Sequence, residues 1–221
     1  MRYAIIALMA LLGVPLPAQA EIGISIGINV PIYPQLTRIP GYPVYYAPQL
    51  AINLFFYDGL YWAYARDGWY VSSWYNGPWS LVGPQFVPVY LLRVPVRYYR
   101  APPPYFYGWP KDAPPKWGKH WGEPWQHERA GWDEWNRGWV PPPAPLPVYQ
   151  RSYQGDRYPQ ESRQGEIRRQ YYGYQPGDPD ARRYYADSAR PAMPPGQAKG
   201  HGGQKGSKGG KHHGDDGDQG D

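Results

Sequence analysis

Residues 55–79 read FFYDGLYWAYARDGWYVSSWYNGPW, and their punctuation is regular: Asp58-Gly59, Asp67-Gly68 and Asn76-Gly77 recur every nine residues. Asp-Gly and Asn-Gly accept the positive φ angles of two-residue type I′ turns, the strongest short-range hairpin signal. Between them lie seven-residue runs dense in aromatics, Leu60 to Arg66 and Trp69 to Tyr75. The spacing predicts an antiparallel meander of four strands, at about 51–57, 60–66, 69–75 and 78–83. With each turn centred on its dipeptide, Phe56, Tyr61, Trp74 and Trp79 form one row across the sheet. Leu54, Ala63, Ser72 and Leu81 form another on the same face. The opposite face carries Phe55, Trp62, Ser73 and Ser80, then Asn53, Tyr64, Val71 and Val82, with Tyr57, Leu60, Tyr75 and Pro78 at one end. Both faces are apolar, whereas a sheet wetted on one side alternates apolar and polar residues, so both need cover.

Working outward, Ile22, Ile24, Ile26, Ile28 and Val30 alternate with small or polar residues, a period-two pattern that predicts a further strand. Residues 39–48 (IPGYPVYYAP) read as extended but too rich in proline for a central strand. The apolar run 86–96 (FVPVYLLRVPV) is a second candidate cover, with Pro88 and Pro95 confining it to an edge. Residues 98–115 read as extended polyproline-like chain around Pro102-Pro103-Pro104. Trp117, Trp121, Trp125, Trp132, Trp135 and Trp139 then follow at helical intervals. Pro124 suits a first helical turn and Gly138 a position just past the end, so a helix is expected over about 124–137. Gly131 inside it costs about 1 kcal/mol of propensity. The fold class is thus mainly β: a small aromatic meander of four to six strands with one short Trp-rich helix, followed by a long disordered tail.

The organisation along the chain follows composition. Residues 1–20 have the form of a signal peptide: Arg2, an apolar run from Ile5 to Leu12, and Ala18-Gln19-Ala20 as an A-x-A cleavage site. The apolar run is well short of the ~20 residues a membrane span needs, so no transmembrane segment is expected. Cysteine is absent, which excludes a disulfide framework and a lipidated N-terminal Cys. The expected location is the periplasm or the exterior. Residues 21–139 form the aromatic β-rich domain and residues 140–150 a proline-rich linker. Residues 151–198, rich in Arg, Gln and Tyr, read as a low-order segment without a core, with a transient helix around Arg163 to Tyr172. Residues 199–221 hold no large apolar side chain and read as a disordered tail.

Charge excludes little by itself. The formal net charge is +5, but residues 21–140 carry ten basic against eight acidic residues and residues 141–221 twelve against ten. Without a concentrated basic patch, nucleic acid is not an expected partner.

No constellation recommends catalysis. Residues 21–198 have only His120 and His127, no Cys, and no G-x-S-x-G. Among carboxylates, Asp58 and Asp67 are explained by turns, and Asp133 and Glu134 by the solvent face of a helix. His120 and His127, with Glu123 and Glu128 nearby, are the metal-ligand candidates of the folded part, but Pro124 interrupts the helix between them. In the tail, His201, His212 and His213 with Asp215, Asp216 and Asp218 form a weak divalent-ion candidate. No cofactor motif is present. The remaining signal is the aromatic excess, with 11 Trp and 23 Tyr. Such rings serve either as the core of a domain short of aliphatic residues or as a stacking platform for sugars and protein partners. Trp117 and Trp121 are the platform candidates.

The segment 55–79, with VPVYLLRVPVRYYRAPPPYF (87–106), the Trp117–Trp121 cluster and the opening GISIGINVPIYP, resembles a family of exported proteobacterial proteins rich in Tyr and Trp. The resemblance spans most of residues 21–160 and implies export, but no activity and no catalytic residues. A looser likeness is to aromatic cell-wall-binding repeats built from Gly-Trp-Tyr-Tyr hairpins, from which the nine-residue spacing departs. The expectation is therefore a non-enzymatic exported envelope protein, a structural or interaction module. Cell-wall glycan, another envelope protein or a second copy of itself are its candidate partners. A glycan- or peptidoglycan-binding module is the alternative, and weak metal binding through the tail a remote one.

Overall fold

The computed structural model describes residues 27–136 and 138–188. Six strands form one antiparallel sheet in chain order: β1 (Thr37–Arg38), β2 (Val44–Tyr46), β3 (Asn53–Tyr57), β4 (Leu60–Ala65), β5 (Gly68–Ser72) and β6 (Ser80–Val82). The meander foreseen from the turn dipeptides is β3 to β6, and the fold is mainly β. The signal-peptide pattern, residues 22–26 of the first alternating run and the 199–221 tail lie outside the described residues. Among the rest of that run, residues 27–30 are not strand. Ile28 and Val30 instead pack on the sheet.

The first turn forms as its sequence predicts. Asp58 (φ +48) and Gly59 (φ +83) are its two central residues, and Tyr57 pairs with Leu60. The second turn does not. Its central residues are Arg66 (φ +46) and Asp67 (φ +63), and Gly68 already pairs with Ala65. Tyr61 therefore faces Ser72 rather than Trp74, a shift of two residues. The reason is tertiary: Asp67 accepts hydrogen bonds from Tyr64, Tyr105 and His120, which hold it at the turn. A slip of two keeps the paired residues of β5 on their expected faces, whereas a slip of one would invert them. Tyr75, expected beside Tyr57 and Leu60, lies beyond β5 and packs in the other core with Leu54, Phe56 and Tyr61.

The third connection also departs from a tight hairpin. β5 and β6 pair through Trp69–Val82 and Val71–Ser80, leaving residues 73–79 as a loop. Gly77 N–H still donates to the Trp74 carbonyl at 3.1 Å, so the Asn76-Gly77 turn exists, but inside that loop. Trp74 leaves the ladder because its ring is wanted elsewhere. It is fully buried against Tyr149, Tyr153 and Tyr158.

Both sheet faces are buried, as their apolar character demands. One face packs Val44, Phe55, Trp62, Trp69 and Val71 against Leu91, Val94, Tyr99, Phe106 and Trp117. The other packs Leu54, Phe56, Tyr61 and Ala63 against Val30, Tyr33, Ala144 and Tyr172. The result is a sheet between two covering layers, one core on each side. Phe86–Val96 supplies cover as expected, but in short helical turns rather than as an edge strand. Pro84–Phe86 and Val96–Tyr98 are 3₁₀, and Val89–Leu92 is α1. The prolines that deny it ladder donors fix φ for such turns. Residues 98–115, expected as extended chain, likewise contain a 3₁₀ turn at Pro104–Phe106. The buried Asn53 amide anchors this segment: its Nδ2 donates to the Tyr64 and Ala101 carbonyls, and its Oδ1 accepts from Ala101 N–H.

The expected 124–137 helix is cut short at Glu128, and a separate short helix precedes it. α2 (Trp117–Trp121) and α3 (Glu123–Glu128) meet at Gly122 (φ +87), and Gly131 (φ +78) lies beyond α3 in a turn. Two left-handed glycines within ten residues leave no room for a continuous helix.

The largest correction concerns residues 140–188. The proline-rich stretch is a covering strap rather than a linker, with Ala144 buried and Leu146 and Tyr149 packed on the sheet. Gln150, fully buried, donates to the Ser73 carbonyl at 3.0 Å. Tyr75 Oη donates to the Tyr153 carbonyl at 2.6 Å, and Tyr158 Oη to the Gly77 carbonyl at 2.7 Å. The segment expected to lack a core forms α4 (Glu161–Tyr171) and α5 (Pro179–Ser188). α4 has low amphipathicity, so its docking rests on single residues: Ile167, Gln164 and Arg168 are buried, and Arg168 Nη2 donates to the Gly59 carbonyl at 2.8 Å. No helix of the described residues is long and apolar enough to cross a membrane.

Candidate functional site

The platform expected at Trp117 and Trp121 is not a surface. Trp117 is fully buried, its Nε1 donating to the Leu92 carbonyl at 3.0 Å. Its ring packs against Tyr64, Trp69, Tyr99 and Phe106. Trp121 is half-buried and stacked on Trp117 at 4.5 Å and 10°, so Trp117 already occupies one of its faces. The physical reason is size: a sheet with few aliphatic residues needs indole rings to fill the space beneath its covering layer.

The histidines do not converge on a metal. His127 is exposed on α3, while His120 Nε2 pairs with Asp67 Oδ1 at 2.8 Å and its ring stacks on Tyr105 at 4.1 Å. Among the described residues no group of three His, Cys, Asp or Glu side chains is placed to hold a metal ion. Asp67 Oδ1 also accepts from Tyr105 at 2.7 Å and Tyr64 at 2.9 Å, and the two phenols hydrogen-bond one another. Burial pushes the Asp67 carboxyl up, but the Tyr105 and Tyr64 hydrogen bonds and His120 outweigh it and hold it below its ordinary value. The cluster pins the second turn to the covering layer and borders a cleft of about 480 Å³ lined mainly by apolar groups, among them Pro103 and Pro104.

A more selective site lies at the other end of the sheet. The Asp58-Gly59 turn, α1, the proline-rich strap and the start of α5 enclose a groove of about 390 Å³. Its aromatic lining is Tyr57, Tyr90, Trp139 and Tyr174, and its two carboxylates are Asp58 and Asp178. The groove exists because Asp58 captures the returning chain. Its Oδ1 accepts from Tyr174 Oη and from Gly177 N–H at 3.1 Å, and its Oδ2 from Asp178 N–H at 2.7 Å. Asp178 in turn caps α5, its Oδ1 accepting from Asp180 N–H (2.8 Å) and Ala181 N–H (3.3 Å), with Pro179 as first helical residue. Tyr57 Oη donates to Asp178 Oδ2 at 2.9 Å.

The electrostatics follow from burial. Asp58 is 6% exposed. The Asp178 carboxyl is pushed up by burial, against the opposing hydrogen bonds from Tyr57 and from backbone N–H groups. The Tyr57 phenol is pushed far above its ordinary range by burial and by the Asp178 charge, so it stays a donor. Trp139 is 70% exposed, an indole left in solvent at the rim. Tyr90, next to Tyr57 at 5.9 Å, is steadied from behind by Trp135 at 5.7 Å and by the Arg93 guanidinium at 5.8 Å.

No family model matches this chain, and neither a curated protein nor a solved structure matches it.

Of the groove residues, sequence reasoning singled out Asp58, as a turn residue, and Trp139, as the end of a tryptophan series. It missed Tyr90, Tyr174 and Asp178. One signal for Asp178 was present: Asp178-Pro179-Asp180 is an N-cap, a proline at N1 and an acidic first turn. Tyr90 and Tyr174 carry no local mark that separates them from other tyrosines.

Proposed function

We propose that this chain is an exported, non-enzymatic envelope protein whose folded part is a carbohydrate-binding interaction module, with the Trp139 groove as its binding platform. The observation that carries the reading is an indole 70% exposed at the rim of a groove that also presents Tyr57, Tyr90, Tyr174 and two carboxylates. A sugar ring offers an apolar C–H face to aromatic rings and hydroxyl donors to carboxylates, and this lining supplies both partners. The volume lies within the ~300–1,000 Å³ of small-ligand sites. The signal-peptide pattern and the resemblance to exported proteins support an envelope location.

A binding role is favoured over hydrolysis by how the carboxylates are used. Both accept hydrogen bonds from backbone N–H groups that hold the α5 segment in place. A general acid has to release and regain a proton at a reacting atom, which carboxylates that already hold backbone N–H groups in place do poorly. Among the described residues the groove lining contains no histidine, serine or cysteine.

Co-sedimentation with purified cell-wall sacculi, and titration with soluble cell-wall glycan fragments, test the reading. The parent protein is expected to bind saturably with a shift in tryptophan emission. Trp139→Ala is expected to weaken binding about tenfold or more while leaving the melting curve in place, by analogy with a nucleic-acid base on an aromatic side chain, whose stacking is worth about 1–3 kcal/mol by alanine substitution. Absence of saturable binding, or equal binding by the variant, overturns it.

A further inference from the structure

Resting on the carbohydrate reading of the same groove, we infer that its ligand is an amino sugar carrying a free, protonated amine rather than a neutral or N-acetylated one. Among the described residues the two groove carboxylates receive neutral donors: two phenols and four backbone N–H groups. The ion pairs found among the described residues are Arg97–Asp112, His120–Asp67 and Arg129–Asp180, and neither Asp58 nor Asp178 takes part in one. The described guanidinium groups at the groove reach backbone carbonyls instead of the carboxylates: Arg168 Nη2 donates to Gly59 at 2.8 Å and Arg182 Nη2 to Gly177 at 3.2 Å. Arg93, behind Tyr90, is likewise spent elsewhere. It lies over Tyr90 and Trp135 and donates to the carbonyls of Gly131, Trp132 and Glu134.

Each carboxylate keeps an acceptor position. Among the described residues Asp58 Oδ2 and Asp178 Oδ2 each hold one hydrogen bond, whereas a carboxylate oxygen offers two lone-pair sites. Two carboxylates taken partly out of water, with no ion pair among the described residues, create a potential that a cation relieves far better than a hydroxyl. The walls point the same way. Tyr57, Tyr90, Tyr174 and Trp139 present ring faces, whose negative quadrupole attracts an ammonium group and stacks equally well on a sugar ring. A hexosamine unit satisfies both demands in one molecule, the amine meeting the carboxylates and the ring lying on the aromatic wall. An acetylated amine loses the charge and keeps the ring.

The experiment is a calorimetric titration of the purified full chain with three trisaccharides of equal length: β-1,4-linked glucosamine, N-acetylglucosamine and glucose. The amine trimer is expected to bind about tenfold or more tighter than either neutral one, the excess of a charge-assisted over a neutral hydrogen bond. Asp178→Asn keeps the α5 cap oxygen and removes the charge, and is expected to erase that preference, read as the ratio of amine-trimer to glucose-trimer affinity within the variant. Equal binding of all three overturns the inference but leaves the carbohydrate reading standing. Binding of none overturns both. Lysine amide binding as tightly as the amine trimer overturns the inference as well, because the sugar ring would then contribute nothing.

Discussion

Replacing Trp117 by alanine separates a tryptophan that builds the molecule from one that serves it. The Trp117 ring is fully buried and touches Tyr64, Trp69, Tyr99, Phe106 and Trp121. A buried aromatic removes about 150–250 Å² from water, worth about 4–6 kcal/mol at ~25 cal/mol per Å² as an upper value. Measured Trp→Ala changes in cores cost about 3–5 kcal/mol, cavity included. The Leu92 carbonyl also loses its 3.0 Å donor, about 1 kcal/mol more. Against a total stability of about 5–15 kcal/mol, the variant keeps only a fraction of its folding free energy. The melting temperature should fall by about 6–20 °C, at about 2–4 °C per kcal/mol for a domain of this size. The assay is thermal and urea unfolding followed by circular dichroism, with Trp139→Ala in parallel, which should stay within about 0.5 kcal/mol of the parent. A Trp117→Ala protein that melts within 2 °C of the parent would refute the core assignment. If that protein had also lost glycan binding, Trp117 and Trp121 would be the platform after all.

Two further outcomes follow from the geometry. A chain ending at residue 140 should fail to give a monomer with a cooperative melt, because Leu54, Phe56, Tyr61 and Ala63 lose the cover of Ala144, Leu146, Tyr149 and Tyr172. Size exclusion and dye binding to exposed apolar surface would show it, and a monomeric, cooperatively melting fragment would contradict the two-core description. The Asp67 carboxyl, held below its ordinary value of 3.8, stabilises the fold above that pH and loses the contribution as pH falls through its lower folded value. Tyr105→Phe removes the strongest of the interactions that lower it, so NMR titration should find the Asp67 carboxyl moved up toward its ordinary value.

The sheet was more legible than its cover. The order of the meander strands, the faces of their paired side chains and the need to bury both faces are visible in residues 53–82, although residues 73–79, expected to continue the strands, form a loop. Periodicity and turn dipeptides report local backbone preference directly. Register was legible only to within a step of two, because Asp67 and Trp74 are held by partners far along the chain. The cover was read through composition, and composition misled. Prolines at 141–147 suggested a detached linker, yet proline is equally suited to a rigid strap lying on apolar rings. The Arg- and Gln-rich stretch 160–172 lacks an amphipathic stripe, yet four buried residues, two of them the polar Gln164 and Arg168, dock it. A pattern search cannot see a polar residue buried by one specific hydrogen bond.

By itself, then, the sequence determined the meander, its two apolar faces and the supply of aromatic rings, because each is a property of neighbours in the chain. Only the tertiary structure decided which rings fill cores and which face solvent, since Trp117 and Trp139 carry the same side chain and lie in the same series. It also decided that Asp58 meets Tyr174, Gly177 and Asp178 across about 120 residues of chain. Such contacts are selected by the joint packing of all the layers, and no local preference encodes them.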